Sequence, residues 1–194
     1  MKQIFIILLL FSNFPIAFSF DIWKSKLTLK EAIQIAKQKN IPLHKNGLIV
    51  IGKKFDERYL RLVQYPKNRL FKYSTTLLNK KATVSLYFSI TTKKLYNLKI
   101  HWITSDKKFI NVVYNLLDKK YGKRESFSNI RDFIFFKKYQ WNPDKETKII
   151  TKSSSAGIKI SYYDIQESHN NDKEKKIIKS DRKKKALIKD SNKF

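Results

Sequence analysis

The sequence contains no cysteine. That excludes disulfides, thiolate catalysis, cysteine-ligated metals and a lipidated N-terminal cysteine. Glycine occurs only four times in 194 residues, which argues against a dinucleotide fingerprint or a phosphate loop. There is no Gly-x-Ser-x-Gly to mount a serine nucleophile. Asp and Glu together number 16 against 42 Lys and Arg, so paired carboxylates for glycoside hydrolysis are scarce. Asp56 and Glu57 are neighbours, and Glu125 and Asp132 flank one loop. Exposed pairing with nearby lysines is the simpler role for both sets. The three histidines, His44, His101 and His169, share no metal-ligand spacing. No cofactor or metal site is expected. An enzyme reading would need a constellation that the sequence does not display.

The one long apolar run stands at the start. Met1 and Lys2 precede Ile4 to Phe11, and small residues Ala17 and Ser19 follow. A positive start, an apolar core and small residues near a cut point describe a secretory signal, cleaved before Phe20. The alternative is an uncleaved anchor, since the apolar stretch reaches towards Trp23 and approaches spanning length. Asn13 and Pro15 interrupt it. The expected organisation is a signal peptide over 1–19, one domain over 20–163, and a basic tail over 164–194. The expected address is periplasmic or secreted. The tail has ten basic and six acidic residues and no aromatic except Phe194. Such a composition buries too little apolar surface to offset chain entropy, so disorder or a frayed helix is expected.

The net charge is +26. The tail contributes +4 and Lys2 contributes +1, leaving +21 on residues 20–163. A field of that size attracts polyanions such as anionic lipid, lipopolysaccharide or nucleic acid. Lysine outnumbers arginine by 36 to 6. Dedicated phosphate readers favour the forked guanidinium, and AT-rich coding alone also enriches lysine. Selected affinity and coding bias both remain open at this level.

Periodicity supplies the fold class. Thr28-Leu29-Lys30-Glu31 reads as a capping box. Leu29, Ala32, Ile33 and Ala36 then fall on one helical face, ending near Asn40. Leu48 to Ile51 reads as a short strand, and a further strand is expected near Tyr59 to Gln64. Phe71 to Thr75, Val84 to Ile90 and Tyr96 to Trp102 alternate apolar and polar residues. Asn79 to Lys81 and Thr91 to Lys94 provide the turns. Three such runs predict an antiparallel meander with one dry and one wet face. Ser105 can cap a second helix whose apolar stripe is Phe109, Val112, Val113, Leu116 and Leu117, stopped at Gly122. Strands are expected at Phe133 to Trp141, Thr147 to Thr151 and Gly157 to Tyr163. Both faces of the Phe133 to Trp141 run are partly apolar, which suggests a covered central strand. The class is α+β, two-layer, with a mostly antiparallel sheet and two packed helices.

The head Phe20-Asp21-Ile22-Trp23, the helix Leu29-x-x-Ala32-Ile33-x-x-Ala36, Lys120-Tyr121-Gly122, Trp141 and Ile158 to Tyr162 can be taken together. In these the chain resembles uncharacterised exported bacterial α+β domains. The resemblance implies an envelope location and carries no activity. Candidate polyanion contacts are Lys99 and His101 on the wet face, Lys137 and Lys138 among aromatics, and the tail run Arg182, Lys183, Lys184 and Lys185. The expected partner is an envelope component or another protein, with anionic lipid or another polyanion as the alternative.

Overall fold

The computed structural model describes residues 19–45, 54–61, 69–90, 92–126 and 136–191. The expected signal segment up to residue 18, the Leu48 to Ile51 strand and the start of the Phe133 to Trp141 strand lie outside these residues. The described chain begins with a small hairpin of β1 (Ser19–Phe20) and β2 (Trp23–Lys24). Phe20 packs its ring on Tyr162 at 5.8 Å between centroids. Trp23 is fully buried and donates from Nε1 to the Tyr73 hydroxyl at 2.8 Å. This couples the N-terminal hairpin to the main sheet.

Helix α1 spans Leu29–Gln38 and starts as its sequence predicts. The Glu31 amide donates to Thr28 Oγ1 at 3.3 Å, and the Thr28 amide donates to Glu31 Oε2 at 2.7 Å. Two otherwise orphaned donors are thereby satisfied. Ala32 and Ala36 are fully buried, so the helix meets the core through its smallest side chains. The strand β3 (His44–Lys45) follows. The strand expected near Tyr59 is instead a helical turn, α2 (Arg58–Arg61). The Asp56 carboxylate accepts from the Arg58 amide at 2.9 Å and so offers the backbone a turn in place of a ladder.

The main sheet has eight antiparallel strands among the described residues, in the order β3-β4-β5-β6-β10-β9-β8-β7. β4 (Leu70–Leu77), β5 (Lys80–Phe88) and β6 (Leu95–Ile103) form the expected meander. The β4–β5 turn is Leu78-Asn79, one residue earlier than expected, because Leu77 pairs with Lys80. Both turn residues have positive φ, at 51° and 59°. That is the primed geometry whose twist matches the strands it joins. Helix α3 (Lys107–Tyr121) leads to a second meander of β7 (Glu125–Ser126), β8 (Lys137–Trp141), β9 (Thr147–Ser154) and β10 (Gly157–Asp164). β10 returns to pair with β6, so the two meanders share one seam at the middle of the sheet. β8 is next to the edge strand β7, and is not the central strand its apolar run suggested.

One face of the sheet is dry. Val84, Leu86, Leu98, Ile100, Ile149 and Ile158 are fully buried there. α1 and α3 complete this core, so the protein is an α+β fold. The α3 cap is Asp106, whose Oδ1 accepts from the Phe109 amide at 3.1 Å, and not Ser105. The stripe of α3 is rolled relative to expectation. Ile110 and Tyr114 are buried beside Phe109, Val113 and Leu117, whereas Val112 and Leu116 stay 49% and 46% exposed. A specific bond accounts for the roll. Tyr114 donates its hydroxyl to Ser153 Oγ at 2.7 Å in the interior, which pulls that side of the helix onto β9.

The tail is not a structureless segment in the described residues. Ile165–Ser191 forms a long helix, α4. Asp164 Oδ1 accepts from the Glu167 amide at 2.9 Å and starts it. Glu167 and Asn171 are buried against the fold, while almost every residue beyond Lys175 is exposed. Of the two expected states, disorder or a frayed helix, the described residues show a helix, and most of it is exposed. Lysine is a good helix former, and a cap is enough to nucleate it once one turn is docked.

Candidate polyanion-binding face

Strand pairing arranges the wet face in rows. One row runs Thr83, His101, Lys159, Lys152, Lys138 across β5, β6, β10, β9 and β8. Lys159 stands directly opposite Lys152, and Lys152 directly opposite Lys138. The next row runs His44, Lys72, Ser85, Lys99, Ser161, Ile150. A third row places Tyr87, Asn97, Tyr163 and Lys148 side by side. No Asp or Glu stands on this face on β4, β5, β6, β10, β9 or β8, but the second row continues through Gln140 to Glu125 on the edge strand β7. Neighbouring strands lie about 4.8 Å apart, so the Lys138–Lys152–Lys159 row packs three ammonium stems into about 10 Å.

Aromatic rings support some of these heads. Lys99 Nζ lies 4.5 Å from the Tyr87 ring centre, and Lys152 Nζ lies 3.6 Å from that of Phe136. Each such contact favours a cation over a neutral group. His101 is half-buried, and burial pushes its pKa below the usual value, with Lys159 adding to the shift. His44 was expected in a loop and is instead 3% exposed on β3. Its pKa is also lowered, first by burial and then by Lys72. Both imidazoles are therefore biased towards the neutral form, first by burial and then by a neighbouring lysine.

The first turns of α4 wall this face along its third row. Ser168 and Asp172 line a recess with Lys148 and Tyr163. Thr92 Oγ1 donates to Glu167 Oε2 at 3.1 Å, and Lys175 Nζ sits 6.0 Å from the Tyr96 ring centre. Asn97 is only 2% exposed although it points to the wet side, because the helix covers it. This helix brings further acidic residues near the face, at Glu167, Asp172 and Glu174.

Lys99, His101 and Lys138 come together on one face as a set. Lys137 points the other way, pairing with Ser153 on the α3 side. Arg182, Lys183, Lys184 and Lys185 are exposed on the distal part of α4. Arg182 is eleven residues beyond Asn171, about 16 Å along the helix axis. Sequence reasoning missed Lys72, Lys148, Lys152 and Lys159. Alternation marked each as solvent-facing, but only the pairing register puts them in rows. The carboxylates show no convergence with His101. Glu57 lies 3.6 Å from Lys37. Glu125 sits on β7, four strands from β6, about 19 Å at normal strand spacing. Among the described residues no three His, Asp or Glu side chains gather as metal ligands. No described helix is long and apolar enough to cross a membrane.

The class that fold and face define is an α+β protein with a large antiparallel sheet and a small N-terminal hairpin, α1 and α3 on the dry side of the large sheet, and lysine rows on its wet side, which α4 borders. No family model, curated protein or solved structure matches the chain.

Proposed function

We propose that this chain is an exported, non-enzymatic binding protein of the bacterial envelope. The wet sheet face takes a phosphate-bearing polyanion, with anionic lipid headgroups, lipopolysaccharide and nucleic acid as its sources. The supporting observation is the register Lys138–Lys152–Lys159, three lysines side by side on β8, β9 and β10, strands that bring no carboxylate to this face. Like charges directly opposite in a sheet are destabilising by about 0.2–1 kcal/mol each. Coding bias accounts for how many lysines there are. It does not account for three in register on neighbouring strands of one face. An anionic partner turns the same arrangement from a cost into a binding energy by releasing counterions.

The test is salt-dependent binding of the full chain to heparin, to anionic vesicles and to single-stranded DNA. Affinity is expected to fall steeply with salt. The triple variant Lys138→Gln, Lys152→Gln, Lys159→Gln should reduce the log–log salt slope by about 2–3, since each released phosphate contact is worth about 0.7–0.9. Binding indifferent to salt, or a slope unchanged in the triple variant, defeats the proposal. Vesicle binding without DNA binding assigns the lipid source, and the reverse assigns nucleic acid. The alternative accessory role, in which the same face meets a protein, is favoured if a partner binds with little salt dependence.

A further inference from the structure

We propose that the cavity between α3 and the β8–β9 end of the sheet is a separate binding site, for a small phosphomonoester. It opens on the α3 side of the sheet and holds none of the lysines of the rows, meeting them only at Phe136, whose ring also supports Lys152. Its volume is about 530 Å³, within the range of small-molecule sites. Arg124, Lys107 and Lys137 bring three cationic groups to its wall, and no carboxylate lines it among the described residues. Ser154 and Ser155 add hydroxyls, and Ile110 and Phe136 add apolar surface.

Arg124 is the feature that makes this a built site. Its guanidinium carbon lies 4.8 Å from the ring centre of Tyr114 and 4.9 Å from that of Tyr139. The two rings meet edge to face at 4.9 Å. Behind it, Nε lies 3.6 Å from Asp118 Oδ2. Asp118 is itself anchored, accepting at Oδ1 from Trp141 Nε1 at 3.1 Å and from the Arg124 amide at 3.2 Å. The guanidinium is thus held by rings on two sides and by a carboxylate at one edge. A guanidinium fork pre-set by two rings and a carboxylate is suited to an oxyanion, which it can bind at little further cost in side-chain entropy. With Arg124 offset by Asp118 behind it, three cations leave a net charge of about two, which matches a phosphomonoester better than the single charge of a carboxylate. The apolar wall then receives the group that carries the phosphate.

The test is calorimetric titration of the full chain with phenyl phosphate, inorganic phosphate and benzoate. Saturable one-to-one binding is expected, strongest for phenyl phosphate and weakest for benzoate. Arg124→Lys keeps the charge and removes the fork. It should weaken phenyl phosphate about tenfold or more, as losing a charged hydrogen bond does. Lys137→Gln lies outside the Tyr114–Arg124–Tyr139 stack and should weaken it about threefold, the effect of one partly screened charge. It carries the test if Arg124→Lys fails to fold by thermal unfolding. Lys159→Glu, on the other face, should lower heparin affinity and leave phenyl phosphate unchanged. Absence of saturable binding, benzoate binding as tightly as phenyl phosphate, or a folded Arg124→Lys with unchanged affinity overturns the proposal. So does loss of phenyl phosphate binding in Lys159→Glu, which would mark a general charge effect.

Discussion

Lys159→Glu offers a stability test that needs no knowledge of the ligand. Lys159 is exposed on β10, directly opposite Lys152 on β9 and His101 on β6. Cross-strand Cβ atoms on one face lie about 5 Å apart, and flexible stems put the charges at about 7 Å. In water two unit charges at that distance interact by about 0.6 kcal/mol. Reversing one sign turns repulsion into attraction, a swing of about 1.2 kcal/mol before screening. At 10 mM salt the Debye length is about 30 Å and most of this survives. At 150 mM the length is about 8 Å, and less than half remains. For a chain of this size 1 kcal/mol shifts the melting temperature by about 2–4 °C. The variant should therefore melt about 2–5 °C higher than the wild type in 10 mM salt, with the gain largely gone in 0.5 M salt. Circular dichroism melts at both salts measure this. A loss of stability at low salt, or a gain that high salt does not diminish, would refute the electrostatic reading of the row.

Three further outcomes follow from local geometry. Thr28→Ala removes the side-chain half of the α1 capping box and should cost about 1 kcal/mol in urea denaturation, with the folded spectrum otherwise intact. Gly157 starts β10 at φ 149°, and a Cβ there would stand 2.1 Å from the Trp102 carbonyl oxygen. Gly157→Ala should cost about 3 kcal/mol and loosen the β6–β10 seam, read as faster amide exchange at Ile158 and Ile160. His44 and His101 both have pKa values below their unfolded value of 6.5. The unfolded chain then binds more protons than the folded one below that pH, so stability should fall as pH drops from about 7 towards 5. The double variant His44→Gln, His101→Gln should flatten that slope in pH-dependent melts. An unchanged slope would assign the acid sensitivity to other groups.

Local pattern carried much of the fold. The α1 cap, the β4–β6 alternation and the Gly122 stop were readable because each depends on residues within a few positions of one another. The errors share a cause. The α3 roll depends on Tyr114 reaching Ser153, 39 residues away. The helix at Arg58 depends on one side chain competing for a backbone donor, which periodicity does not see. β8 looked central because both its faces are apolar, yet it lies beside the edge strand.

The sequence by itself determined the absences and the quantities. Without cysteine there is no thiol chemistry, and without a surplus of carboxylates the chain is a strong cation whatever its shape. It also determined which residues alternate towards water, because a strand's period is a property of its backbone. Only the tertiary structure decided which of those residues meet. Lys138, Lys152 and Lys159 form a row because β10 closes on β6 and draws β9 and β8 alongside. Lys137 and Lys138 are adjacent in the chain and face opposite sides of the sheet. Arg124 gains its aromatic clamp from a helix and a strand that the sequence holds apart. Charge is additive along a chain, but register and enclosure are set by long-range pairing.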